Sequence, residues 1–238
     1  MVRTEQSKHW NGHLLCSIDI ETSGLDPEKD ELLEIAIVPL KPNLTINYDL
    51  KPFDIIIQPK WPDNFQNNQI LLPGMTLADV MLQGLEAWTA VDLLEQWYEK
   101  LNLPERKKIM PLGHNYVAFD RPFLQKWLTE PTYDYIFDYH VRDTMQIGLY
   151  LNDLSDYLGQ GFPFPKVKLT YMCSCLKIPN MRRHRALGDA VATAELYRQI
   201  VTRVGPNLKE VSTLLQCSAN DSESGLADHQ NSDQPVLP

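Results

Sequence analysis

The sequence lacks any apolar run approaching the ~18–20 residues of a membrane span. Its opening stretch, MVRTEQSKHWNGH, lacks the apolar core of a secretory signal. Cysteine is scarce. Cys16, Cys173, Cys175 and Cys217 are scattered without a CxxC pair, so they read as reduced thiols and not as a disulfide frame or a zinc site. These absences point to a cytoplasmic protein with no membrane contact. No segment repeats. Acids are missing between residues 157 and 188, where six bases fall (Lys166, Lys168, Lys177, Arg182, Arg183 and Arg185). Bases are missing from 217 to 238, where Asp221, Glu223, Asp228 and Asp233 fall.

The 238 residues are 43% hydrophobic and 22% charged, which fits one globular domain with a short appendage and excludes wholesale disorder. The net charge of −9 argues at first against nucleic acid. Part of it belongs to the acidic end, and local potential matters more than the total. The expected organisation is a loose leader over residues 1–12, a folded domain over 13–216 and a disordered acidic tail over 217–238.

Residues 13–20 (HLLCSIDI), 32–40 (LLEIAIVPL) and 48–58 read as three strands, with Pro52 marking a bulge or an edge in the third. Residues 58–73 read as a loop. A helix is expected over about 77–101, where Trp88, Val91, Leu94, Trp97 and Leu101 recur at three or four. A fourth strand is expected at 108–113 and a helix from Asp120, with Pro122 in its first turn. A fifth strand at 139–141 and helices at 144–150, 169–176 and 186–204 complete the pattern. The last helix would face inward through Ala186, Ala190, Val191, Ala194, Tyr197 and Val201. Strands first, then helices alternating with short strands, predict an α/β fold.

Three segments carry chemistry. Asp19 and Glu21 flank Ile20 at the end of the first strand, so their side chains share a face. Two such carboxylates repel unless a cation lies between them, and hard divalent ions take oxygen ligands of this kind. A lone DxE is also common at a solvated strand end. Asp120 sits where a strand has ended and a helix begins, a position that equally suits an N-cap. His184 and Asp189 stand five apart, about 140° around a helix, so one site uses both only if His184 lies before the helix or in its first turn. A histidine there suits a general base near neutral pH. Alone, it is also a plausible exposed histidine in a basic turn.

In combination and in order, the three segments resemble the motifs of the DEDDh (DnaQ-like) 3′→5′ exonucleases of the ribonuclease H-like superfamily. The stretch from Asp19 to Pro27 (DIETSGLDP) is similar to the first motif, with Ser23 where Thr is commoner. His114–Asp120 (HNYVAFD), followed by Pro122, Phe123 and Leu124, is similar to the second, and His184–Ala190 (HRALGDA) to the third. The resemblance covers about residues 14–204 and is weak over 58–102.

It implies a ribonuclease H-like mixed central sheet flanked by helices. It also implies that Asp19, Glu21, Asp120 and Asp189 hold two Mg²⁺ or Mn²⁺ ions, ~3.5–4 Å apart, around a scissile phosphate. His184 would take the proton of the attacking water, and a nucleoside 5′-monophosphate would leave from the 3′ end. Leu25 and Thr22 would meet the terminal nucleotide, supported by Asn115 and Phe119, and Arg185 would bind backbone phosphate. Single-stranded DNA is the expected substrate, because DIETSGLDP looks most like the DNA-directed branch. An exoribonuclease or oligoribonuclease, a nucleic-acid-binding polymerase accessory module and a ribonuclease H-type endonuclease are the rivals. Trp61, Phe65, Phe162 and Phe164 are candidates to stack on bases. Gln234–Pro238 loosely resembles a sliding-clamp-binding peptide. Oligomeric state stays open.

Overall fold

The structure is a computed structural model that describes residues 9–179 and 185–204. His184, Arg182, Arg183 and the tail beyond residue 204 lie outside the described residues. In chain order the elements are β1 (Leu14–Thr22), β2 (Leu32–Pro39), β3 (Phe53–Ile56), β4 (Ile70–Leu72), β5 (Met75–Thr76), α1 (Leu77–Gln83) and α2 (Ala87–Lys100). Then follow β6 (Ile109–Gly113), α3 (Asp120–Leu128), α4 (Glu130–Ile136), β7 (Arg142–Asp143), α5 (Thr144–Tyr157), α6 (Leu169–Cys175) and α7 (Ala186–Gln199). No helix among the described residues is long and apolar enough to cross a membrane.

The central sheet runs in the order β3-β2-β1-β6-β7. The first three strands pair antiparallel, and β6 and β7 extend the other edge in parallel. Both faces are covered, so β1 and β2 are apolar almost throughout. Leu14, Cys16, Ile18 and Ile20 join Ile35 and Ile37 under Ala90 and Leu94 of α2 and Phe123 and Leu124 of α3. Each such side chain contributes about 1.5–3 kcal/mol when fully buried. On the opposite face Ala36 and Val38 meet Ala186 and Ala190 of α7. Those alanines let the helix lie close on the sheet. This is the mixed, helix-flanked α/β sheet that the sequence predicts.

Several boundaries differ from expectation, each for a local reason. The helix expected over 77–101 is two helices. Thr76 caps α1 through a reciprocal capping box with Asp79. The helix then stops at Gly84, and Leu85 turns aside to hydrogen-bond Ile56 and Gln58 at the end of β3. Pro52 directly precedes β3, which lies at the edge of the sheet as the proline suggested. The loop over 58–73 contains a small hairpin partner, β4, which pairs with β5. The fifth strand falls at Arg142–Asp143, not at 139–141. α5 continues to Tyr157, and α4 appears after a sharp bend at Thr129, whose φ is 65°.

The inward stripe of the last helix is also corrected. Val191 and Val201 are exposed, while Ala192, Thr193 and Leu196 are buried. α7 is pressed from two sides, by the sheet and by α6, so a single stripe could not describe it. Phe164 is fully buried in a second core with Leu151, Met172 and Leu196, so it is no stacking platform. Asn152 clamps its backbone in both directions at 2.8 Å. Trp61 and Phe162 are exposed. Within the expected leader, His9 is docked: its ring accepts from the Leu15 N–H and meets the Lys41 carbonyl. Cys16 and Cys173 are free and buried, in line with the reading of reduced thiols at those two positions.

Candidate active site

The site forms where strands part. β1 pairs with β6 only as far as Ser17 and Leu112. Beyond that point β1 runs on to Thr22 beside β2 alone, and the loop after β6 swings away to start α3. The opening lies at the carboxyl end of two parallel strands, where α/β sheets place their ligands. Asp120, the first residue of α3, fills it from above. Its side chain is buried, and the backbone of Asp120 and Ile20 offsets part of the cost of that burial. Asp120 makes no side-chain cap; Phe119 stands at the N-cap position.

Asp19 and Glu21 project from β1 on the face covered by α7, and Asp189 comes down from the first turn of α7. One carboxylate oxygen from each of the three lies within 4.8 Å of the others. Asp120 is not part of that trio, but among the surrounding charges it acts most strongly on Asp19. Burial, then Asp120, Asp189, Glu21 and Glu34, push the Asp19 carboxyl well above the usual carboxylate range. Glu21 is pushed up to about 7 by burial and by its neighbours Glu34 and Asp189, with Arg185 opposing. Burial likewise raises Asp120. Three converging hard oxygen donors fit a divalent cation of the Mg²⁺ or Mn²⁺ type.

The supporting residues are ordered around this trio. The turn after β1 is closed by Ser23 and Glu31, whose backbone N–H groups donate to the Glu31 carbonyl and the Ser23 hydroxyl, both at 2.9 Å. Thr22 donates its hydroxyl to the Gly24 carbonyl at 2.6 Å. Gly24 lies so close to the Asp30 carboxylate that a Cβ would overlap it. The turn therefore holds Leu25 outward, 83% exposed and away from the core. Asn115 adopts φ 70°, and its N–H donates to Asp143, which also caps α5. Phe119 packs on Phe123 with ring centroids 5.3 Å apart. His114 meets the Thr144 hydroxyl at 2.9 Å, and Thr144 donates to the Gly113 carbonyl. Burial lowers the His114 pKa, so it acts as a neutral tie between this loop and α5.

The structure thus brings Asp19, Glu21 and Asp189 together and sets Asp120 beside them. It holds Arg185 differently from expectation: the guanidinium is forked onto Glu34. Glu34 was not among the sequence candidates. Its signal was present, a single acid inside the apolar run LLEIAIV. Two clefts are lined by none of the four carboxylates. One of about 660 Å³ lies among Leu32, Lys60, Trp88, Lys126 and Trp127. Another of about 580 Å³ lies among Asn115, Val117, Arg142 and Tyr150.

Known proteins match this arrangement. Residues 16–197 fit the RNase T family model, described as Exonuclease. A probable oligoribonuclease of Drosophila melanogaster is 30% identical over 139 residues, 55% of this chain and 60% of the fly protein. Ribonuclease T of Haemophilus influenzae is 23% identical over 234 residues, 93% of this chain and 92% of that protein. Exonuclease I of E. coli, solved with a dT13 oligonucleotide, superposes with a TM-score of 0.60 at 16% identity, over 82% of this chain and 42% of that one. The chain therefore spans only part of the fly protein and less than half of exonuclease I. The family match runs across most of the chain and includes all four carboxylates, and on that ground the chain belongs to the RNase T exonuclease family, a DnaQ-like group with the ribonuclease H-like fold.

Proposed function

We propose that the protein is a metal-dependent 3′→5′ exonuclease that releases nucleoside 5′-monophosphates from single-stranded ends. The observation that carries this reading is the meeting of Asp19, Glu21 and Asp189 within 4.8 Å beside buried Asp120. These four residues would hold two Mg²⁺ or Mn²⁺ ions, which when bound supply Lewis-acid stabilisation of the charge developing on the phosphate. The remaining work falls to the chain itself. The start of α3 keeps the buried Asp120 side chain at the opening. Leu25, held out on its closed turn, packs against the terminal base or sugar, with Thr22 below it. Asn115 and Phe119 support the same pocket from the loop before α3. His184 takes a proton from the attacking water.

Single-stranded DNA is the proposed substrate. The DIETSGLDP motif supports it, as does a fold shared with a nuclease solved on an oligo-dT strand. One observation favours a second reading, short RNA: proteins from Drosophila melanogaster and Klebsiella pneumoniae that match at 30% and 29% identity are named as oligoribonucleases or probable ones. A cytoplasmic setting and a polymerase or sliding clamp as partner belong to the same proposal. Matched 5′-labelled single-stranded DNA and RNA, incubated with Mg²⁺, Mn²⁺ or EDTA, test it. A metal-dependent ladder shortening from the 3′ end, lost in Asp19→Ala and His184→Ala, supports the reading, and the faster strand names the substrate. Internal cuts would instead mark an endonuclease. No shortening of either strand would mark a binding module.

A further inference from the structure

Glu34 is a fifth carboxylate at the site, and its surroundings set it apart from the other four. It is 2% exposed. The Arg185 Nε donates to both of its oxygens, at 3.0 and 2.9 Å, and Nη2 donates to Oε1 at 2.8 Å. The Ala186 N–H donates to Oε2 at 3.3 Å. A buried charge persists when it is paired and its lone pairs are satisfied, and a planar guanidinium meets a carboxylate in this two-pronged way.

The position of this fork matters more than its strength. Arg185 is the N-cap residue of α7, and its own side chain makes no cap. Glu34, reaching across from β2, meets the first N–H of the helix instead. The Arg185 carbonyl accepts the Asp189 N–H at 3.1 Å, so Asp189 sits one turn beyond the residue that Glu34 grips. Below this point α7 rests on β2 through Ala186, Ala190, Ala36 and Val38. On the sheet side these contacts at the start of the helix are between short side chains, while the longer ones that hold α7, Leu196 among them, lie further along it. Glu34 itself is fixed, directly opposite Glu21 in the β1–β2 register.

We propose that Glu34, through Arg185 and the Ala186 N–H, sets the placement of α7 so that Asp189 meets Asp19 and Glu21. Arg185 is then a positioning residue for the metal site and not a phosphate-binding one. A substrate phosphate would have to draw the guanidinium away from a buried carboxylate. The inference rests on the metal-dependent reading above.

The test compares the full-length chain with Arg185→Gln, Glu34→Gln, the double variant and Arg185→Lys. Mn²⁺ affinity is read by electron paramagnetic resonance, and kcat and KM are read on a labelled oligonucleotide. Arg185→Gln and Glu34→Gln each weaken Mn²⁺ binding by about 10- to 100-fold, the usual cost of losing a partner behind a ligand. Each lowers kcat and leaves KM for the oligonucleotide unchanged. The double variant is no worse than either single one, because both remove the same fork. Melting curves establish that each variant folds. Arg185, at 32% side-chain exposure, provides the variants that decide the matter if Glu34→Gln does not fold. Wild-type Mn²⁺ affinity in Arg185→Gln, with KM raised, would overturn the proposal in favour of phosphate binding. Unchanged affinity and unchanged kinetics would overturn it alone, the metal reading surviving in the wild type. A wild-type chain that binds no Mn²⁺ overturns both.

Discussion

Glu21 and Glu34 stand directly opposite one another on β1 and β2, two carboxylates paired across an antiparallel ladder. Like charges in that position repel and destabilise a sheet. Arg185 offsets part of the repulsion, yet burial first, and then Glu34 and Asp189, push Glu21 from 4.5 to about 7. The next residue pair is irregular. Thr22 faces Leu32, which leaves Leu33 as an extra residue on β2. Such bulges bend a strand and re-aim its side chains, often beside a functional site.

A pH dependence follows from these raised groups. Glu21 holds its proton more tightly folded than unfolded, so between 4.5 and about 7 the folded chain carries the extra proton. Its contribution to stability in EDTA therefore falls as pH rises through that window and levels off above it. Asp19 and Asp120 are raised in the same direction. Melting temperatures in EDTA should be lower at about pH 8 than at about pH 5, and Mg²⁺ or Mn²⁺ should shrink the difference. A melting temperature that climbs with pH through the window in EDTA contradicts the crowding described here.

Asp120→Asn tests the carboxylate that enters from α3. The amide keeps the shape but loses the negative charge. Activity should drop by at least about 10²-fold, the scale of losing one preorganised electrostatic group. Because a buried, crowded charge is removed, the metal-free protein should melt no lower than wild type. Full activity in this variant would remove Asp120 from the site.

Leu25→Ala separates substrate contact from folding. The side chain is held outward, so its loss should leave unfolding free energy within about 0.5 kcal/mol. Turnover of a labelled oligonucleotide should nevertheless fall, because the terminal nucleotide loses its apolar contact. Steady-state kinetics beside urea unfolding checks both halves. A large stability loss with unchanged kinetics would instead give Leu25 a packing role.

Phe164→Ala should have the opposite profile. The ring is fully buried in the core that supports α7 from the side away from the sheet. Its removal should cost about 3–5 kcal/mol in urea unfolding. A cost below about 1 kcal/mol would mean that the site can close over the cavity.

Much of this was legible in the sequence, for specific reasons. β1, β2 and β6 are short apolar runs bounded by turns, and burial on both faces makes such strands conspicuous. Asp19 and Glu21 could be paired from strand alternation alone. Gly84 was harder to read. The helical period carries on past it, and the break exists because Leu85 hydrogen-bonds to β3, a partner far away in sequence. Phe164 looked like an available aromatic because nothing local revealed the Asn152 clamp twelve residues earlier. Arg185 sits in a basic stretch and so read as a phosphate ligand. Its partner, Glu34, lies 151 residues away.

The central claim is that Asp19, Glu21, Asp120 and Asp189 together hold divalent ions. Anomalous diffraction from crystals soaked in Mn²⁺ tests it most directly. The account predicts two peaks among these four carboxylates, and weakened or absent peaks in Asp189→Asn. Crystals that take up Mn²⁺ elsewhere but show no peak between β1, α3 and α7 would contradict it.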